Sequence, residues 1–242
     1  MRSTAPKIEI RMRVPGTWSS LDELNKTLPG GFRMSPTQLT LPDGSKVGVE
    51  MMPADDQFPS IFRMSCRQEP SRETLEIVDN YTYNVAIVGP GGSLEYALRM
   101  GLAAAAVVVS GGAGVFIDNA AISHCGSHWL DIVDDASTRA LTYAFVNILR
   151  VRRVLSSSGM HVFGLRDIVM PSTAADMDAV KAINYMCSRQ TPLQDGHVVP
   201  IQAGPRYRAT VCDRNWIHSG SPLYNPFGHL KLTPATDSAS CN

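Results

Sequence analysis

Residues 7–14 (KIEIRMRV) alternate apolar and charged side chains, the period-two pattern of a strand with one buried face. Ile8, Ile10, Met12 and Val14 share that face. Ser20 then opens an S-x-x-E capping box with Glu23, which predicts a short helix running to Thr27. Pro29, Gly30 and Gly31 end it. Residues 38–41 and 46–51 flank Pro42-Asp43-Gly44-Ser45, a turn signal, and so predict a hairpin. Residues 53–56 read as loop, Ser71 caps a second helix over 72–80, and residues 83–88 are rich in strand formers.

That order, β-α-β-β-α-β, is the order of a ferredoxin-like unit. The second half of the chain repeats it. Leu94 to Val109 predicts a connecting helix, 114–118 a strand and 138–149 a helix. Strands follow at 151–157 and 167–170 with GMHVFGL between them, then a helix over 174–189 and strands at 197–202 and 207–212. The expected fold is therefore α+β: two ferredoxin-like halves, residues 1–92 and 93–232, joined by a helix. The small, polar segment 233–242 (TPATDSASCN) is expected to be a disordered tail.

Composition narrows the class. The chain has 242 residues, 44% of them hydrophobic and 18% charged, enough to bury a substantial core. Lys plus Arg equals Asp plus Glu at 22 each, so the basic excess of a nucleic-acid binder is missing. Arg11 and Arg13, and Arg150, Arg152 and Arg153, read as solvated charges at strand and helix ends. The five cysteines form no CxxC, and a chain of this size needs no disulfide, which favours a reducing compartment. The first residues carry no apolar signal segment, and the uncharged run 101–117 reads as helix, turn and buried strand rather than a membrane span. A cytoplasmic protein that engages neither membrane nor nucleic acid is expected.

Four clusters carry candidate chemistry. In GPGGS (89–93), Gly91, Gly92 and Ser93 would hold an anion at a helix N-terminus, or Ser93 would be an ordinary N-cap after a tight turn. The loop 118–128 holds Asp118, Asn119, His124, Cys125 and His128. Here His124 or His128 would act as a base and Asp118 as its orienter, or Asp118 would cap a turn. Two histidines four apart beside Cys125 also suggest zinc, but Gly126 argues against a helix here and no metal is expected. His161 with Asp167 forms a third candidate acid–base pair, and Trp216, His218, Tyr224, Phe227 and His229 a C-terminal aromatic stretch.

Several blocks in order carry a family resemblance: FPSIFRMSC (58–66), YNVAIVGPGGSLEYALRMGLAAAAVVV, GGAGVFIDNAAISH, Trp129, GMHVFGLRDIVM and LQDGHVV. Residues 51–199 resemble a bacterial family of uncharacterised proteins, domain of unknown function 4261. The resemblance implies a bacterial, cytosolic setting and no particular chemistry. No nucleophile, metal or phosphate motif is complete. The expected function is thus a non-catalytic module for a small ligand or a protein partner, without cofactor. Its ligand contacts would come from Gly91, Gly92, Ser93, Asn119 and His161. The alternative is a hydrolase or transferase using Asp118, His124 and His128, with the 89–93 turn as anion holder.

Overall fold

The computed structural model describes residues 6–151, 153–189, 191–202, 204–213 and 217–235. In chain order the elements are β1 (Glu9–Gly16), α1 (Leu21–Thr27), β2 (Arg33–Met34), β3 (Gln38–Thr40), β4 (Lys46–Pro53), α2 (Phe58–Ser65), α3 (Arg72–Asp79), β5 (Tyr83–Pro90) and α4 (Leu94–Val109). There follow β6 (Gly114–Ile117), β7 (Ile122–Cys125), α5 (Gly126–Asp135), α6 (Thr138–Phe145), β8 (Asn147–Val151), β9 (Val154–Ser158) and a 3-10 turn (Met160–Phe163). The chain continues through β10 (Asp167–Pro171), α7 (Asp176–Cys187), β11 (Val198–Pro200), β12 (Arg206–Cys212) and β13 (His229–Pro234). The class is α+β. Among the described residues no helix is long and apolar enough to cross a membrane.

The strands form two sheets. The first has the order β2-β3-β4-β5-β1-β6-β7, and the second β11-β12-β13-β10-β9-β8. Every neighbouring pair in the first sheet is antiparallel. In the second, only β10 and β13 run parallel. The buried side of β1 is the one its alternation predicts, with Ile10 and Val14 fully covered. Helix α4 lies over β1 and β5 with Ala97, Met100, Ala103, Ala104 and Val107 inaccessible to solvent. Its small residues let neighbours approach closely. At Gly101 the indole N–H of Trp129 donates to the backbone carbonyl at 3.2 Å. Burying that indole contributes roughly 4–6 kcal/mol at most. One apolar core runs from Ile10 to Leu232 and so draws on both expected halves.

The pairing departs from two ferredoxin-like units. A split βαβ unit needs its two strands parallel with another strand between them, and a single helix supplies that direction by a crossover. Between β4 and β5 the chain places two helices, α2 and α3, which pack as a hairpin and return it antiparallel. β1 accordingly lies between β5 and β6.

Five local expectations change as well. Residues 122–135 form β7 and α5 instead of a polar loop. Gly126 begins α5, because a Cβ there would stand 3.0 Å from Val108 Cγ1 and 3.2 Å from the Ala113 carbonyl. The helix begun at Thr138 ends at Phe145, and residues 147–151 pair with β9. GMHVFGL makes a tight turn between left-handed Gly159 and Gly164 instead of a bent strand pair. Thr233 and Pro234 belong to β13, where they pair with Arg208 and Tyr207, so the segment 233–242 is not a tail from its first residue. Residues 58–65, given no element by their pattern, form α2. Residues 236–242 with Cys241, together with Arg152 and Trp216, lie outside the described residues.

Candidate functional site

The β1–β6 ladder ends with Met12 opposite Ile117, and the chain then turns at Asp118 and Asn119. The Asp118 N–H donates to the Arg11 carbonyl, which carries the ladder one step further. The side-chain amide of Asn119 continues it. Its Oδ1 accepts from the Arg11 N–H at 2.8 Å, and its Nδ2 donates to the Glu9 carbonyl at 3.0 Å. Those two contacts fix which end of the amide is the donor. The same Nδ2 lies 3.0 Å from Nε2 of His161 and 3.5 Å from the Pro222 carbonyl.

Two residues 42 positions apart thus meet on the floor of a cleft of about 360 Å³. Lys7, Glu9 and Arg11 form one wall, and Ser219, Ser221 and Tyr224 another. Lys7 and Arg11 both pair with Glu9 at 3.1 Å, which leaves this wall one positive charge in excess. Asn119 and His161 are buried, at 2% and 3% exposure. The turn around His161 is forced by Gly159 and Gly164, whose positive φ angles of 105° and 76° suit glycine. Burial pushes the His161 imidazole down to about 4, while contact with the Pro222 carbonyl acts the other way. The ring is therefore neutral at physiological pH, and its Nδ1 has no hydrogen-bond partner among the described residues.

The remaining predicted residues do not join this cleft. Gly91 and Gly92 use their N–H groups on the Ile8 and Val162 carbonyls, at 2.9 and 2.8 Å. Neither is free for an anion. Ser93 is the N-cap of α4, accepting from the Tyr96 N–H. Asp118 pairs with Arg13 at 2.8 Å, not with a histidine. Burial raises the Asp118 carboxyl and the Arg13 charge lowers it, with burial the larger effect.

His124 sits opposite Val115, three residues up the ladder from Asp118. At ~3.4 Å per residue that puts about 10 Å between them, too far for an orienting hydrogen bond. The His124 Nε2–H donates to the Ala144 carbonyl at 3.0 Å, and the ring packs against His128, Trp129 and Tyr143. Burial holds it neutral, with its pKa lowered to about 4. His128 stands on α5 next to Gln68. The expected pairing of Asp118 with His124 or His128 is thus not assembled: the ladder parts Asp118 from His124, and His128 stands on α5 with its ring 5.8 Å from that of His124.

His161 and Asp167 do not pair either. Asp167 accepts from the Ser157 hydroxyl at 2.9 Å, the Met160 N–H at 3.2 Å and Asn225 Nδ2 at 2.8 Å. It closes the 3-10 turn from within, and burial raises its carboxyl to about 6. Among the described residues no group of three or more His, Cys, Asp and Glu is placed to hold a metal ion. Cys66, Cys125, Cys187 and Cys212 are unbridged.

Sequence reasoning found Asn119 and His161 separately and missed what surrounds them. The Pro222 carbonyl and Ser219 belong to SGSP (219–222), a turn signal that could have marked a loop folding back. Comparison of the chain with family models, curated proteins and solved structures finds no match.

Proposed function

We propose that this protein is a non-catalytic module that binds a small polar ligand in the cleft floored by Asn119 and His161. The observation that carries the reading is the pairing of those two buried side chains at the base of a polar cleft. A buried imidazole with an unpaired nitrogen is costly to keep. Binding sites are the usual place for such groups, convergent and held in advance by the fold. Here the Asn119 amide is held by backbone of β1 and the His161 ring by a glycine-bounded turn, so little ordering is left for the ligand to impose. A single excess positive charge on the wall favours ligands with one acidic group. A bacterial, cytosolic setting and the family resemblance go with this reading as proposals and add no chemistry to it.

A binding module rather than an enzyme is favoured because, among the described residues, His161 pairs with no carboxylate orienter and no nucleophile. The test is a screen of carboxylated and phosphorylated metabolites for a rise in thermal midpoint. Saturation at about a hundred times Kd stabilises by ~2.7 kcal/mol, a rise of several degrees. Ser219 is exposed at the cleft mouth, so Ser219→Trp blocks entry without touching the core. The rise is expected in the parent protein and absent in Ser219→Trp. A rise of equal size in both would place the ligand elsewhere.

A further inference from the structure

β8 is the last strand of the second sheet, and two cavities border it. One, of about 700 Å³, takes Asn147 and Leu149 of β8 together with Ile61 and Met64 of α2. The other, of about 280 Å³, takes Ile148 together with Arg139 of α6 and Met177 of α7. Successive β8 side chains therefore point into alternate cavities, as strand geometry requires. Arg67 and Tyr143 line both. Among the described residues, 148–151 make no backbone hydrogen bond outside the ladder with β9. An open edge of this kind is a template for another strand.

The surroundings select what pairs with it. Met64, Met177 and Leu149 are 79%, 57% and 43% exposed, an unusual cost for apolar side chains clustered along one edge. The chain has 22 Asp and Glu, yet among the described residues none lines either cavity. Arg67 and Arg139 have no carboxylate partner among the described residues. Asp176, near the α7 end, is held by Arg150. The Arg67 guanidinium lies over the Tyr143 ring at 4.8 Å, donates to the Val146 carbonyl, and keeps a buried Nε with no partner among the described residues.

We propose that the β8 edge docks an extended acidic peptide of a partner protein. The peptide adds a strand to β8, drops alternate apolar side chains into the two cavities, and sets carboxylates against Arg67 and Arg139. Strand addition draws affinity from the backbone and specificity from such alternating pockets. This surface shares no residue with the Asn119 and His161 cleft, so either inference stands or falls without the other.

The experiment measures fluorescence anisotropy of a short labelled peptide repeating Val-Leu-Glu-Glu, which gives each face of the strand both apolar and acidic side chains, titrated with the full chain. Three controls accompany it: the same peptide with Lys for Glu, the same peptide N-methylated at alternate backbone positions, and the Arg139→Glu variant. Arg139 is exposed in the first turn of α6, where a carboxylate suits the helix dipole, so this variant keeps the fold. The proposal expects saturable binding of the acidic peptide, none of the Lys peptide and none of the N-methylated one. It expects Arg139→Glu to bind about tenfold more weakly, or ~1.4 kcal/mol, with an unchanged thermal midpoint. No binding of the acidic peptide, or equal binding of the N-methylated peptide, would overturn it. So would a peptide-insensitive dimer in sedimentation that Leu149→Lys dissolves, because the edge would then belong to a second copy.

Discussion

Acid should destabilise this protein well above the pH at which surface carboxylates titrate. His124 and His161 are buried, at 1% and 3% exposure, with pKa lowered from 6.5 to about 4. Between those values the unfolded chain takes up a proton at each histidine and the folded chain does not, so stability falls as pH falls. Their contribution is complete above pH 6.5 and is lost progressively toward pH 4. Each pH unit costs ~1.4 kcal/mol per group, so the pair loses about 5 kcal/mol between pH 6.5 and 4.5. Asp167 works in the opposite direction. Its folded pKa is raised from 3.8 to about 6, so the folded state binds the proton first and gains about 2 kcal/mol by pH 4.5. The net loss is about 3 kcal/mol, a large share of the 5–15 kcal/mol typical of a folded domain. Urea unfolding at pH 7, 5.5 and 4.5 measures it directly. Asp167→Asn removes the opposing contribution and should steepen the acid loss, and His161→Gln, which removes about half of the histidine contribution, should abolish most of the net loss. A stability that is flat or rising between pH 6.5 and 4.5 would refute the burial of these imidazoles.

Three further perturbations test the packing. Ala104 is inaccessible on the inner side of α4, so Ala104→Asp puts an unpaired charge into the core and should abolish cooperative unfolding by circular dichroism. Gly159→Ala would place a Cβ 2.1 Å from the Phe145 carbonyl at a φ of 105°, and should cost at least ~3 kcal/mol in urea unfolding. Trp129→Ala empties the space beneath Gly101 and should cost about 3–5 kcal/mol in the same assay.

The amino-acid pattern revealed those parts of the fold whose signals are local. The alternation of β1, the caps Ser20, Ser71 and Ser93, and the turn at Pro42-Asp43-Gly44-Ser45 each specify their element within a few residues. Where two local rules compete, the tertiary structure decides. Gly126 reads as a helix breaker, yet it starts α5, at a position where a Cβ would stand a tight 3.0 Å from Val108 Cγ1 and 3.2 Å from the Ala113 carbonyl. Residues 145–151 (FVNILRV) satisfy helix and strand patterns alike, and the pairing with β9 resolves them as β8. Residues 229–233 (HLKLT) do alternate, but their parallel partner β10 lies some sixty residues upstream, beyond any local signal. Strand order was illegible for the same reason: a pair of short helices between β4 and β5 reverses the direction that one helix would give.

The site divides in the same way. Asn119 and His161 were recognisable as polar residues at element ends, while their meeting depends on the β1–β6 register and on the turn closed by Asp167. The catalytic arrangement drawn from Asp118, His124 and His128 assumed that closeness in sequence means closeness in space. A hairpin denies that, since three ladder steps separate the carboxylate from the nearer imidazole.

The claim that the Asn119 and His161 cleft binds a small polar ligand is tested most directly by nitrogen NMR of the histidine rings and asparagine side-chain amides, recorded as a metabolite found in the thermal screen is titrated in. The Asn119 amide and the His161 ring nitrogens are expected to shift and saturate together while those of His124, buried at the other hairpin end, stay fixed. Saturable binding that leaves Asn119 and His161 unmoved would contradict it.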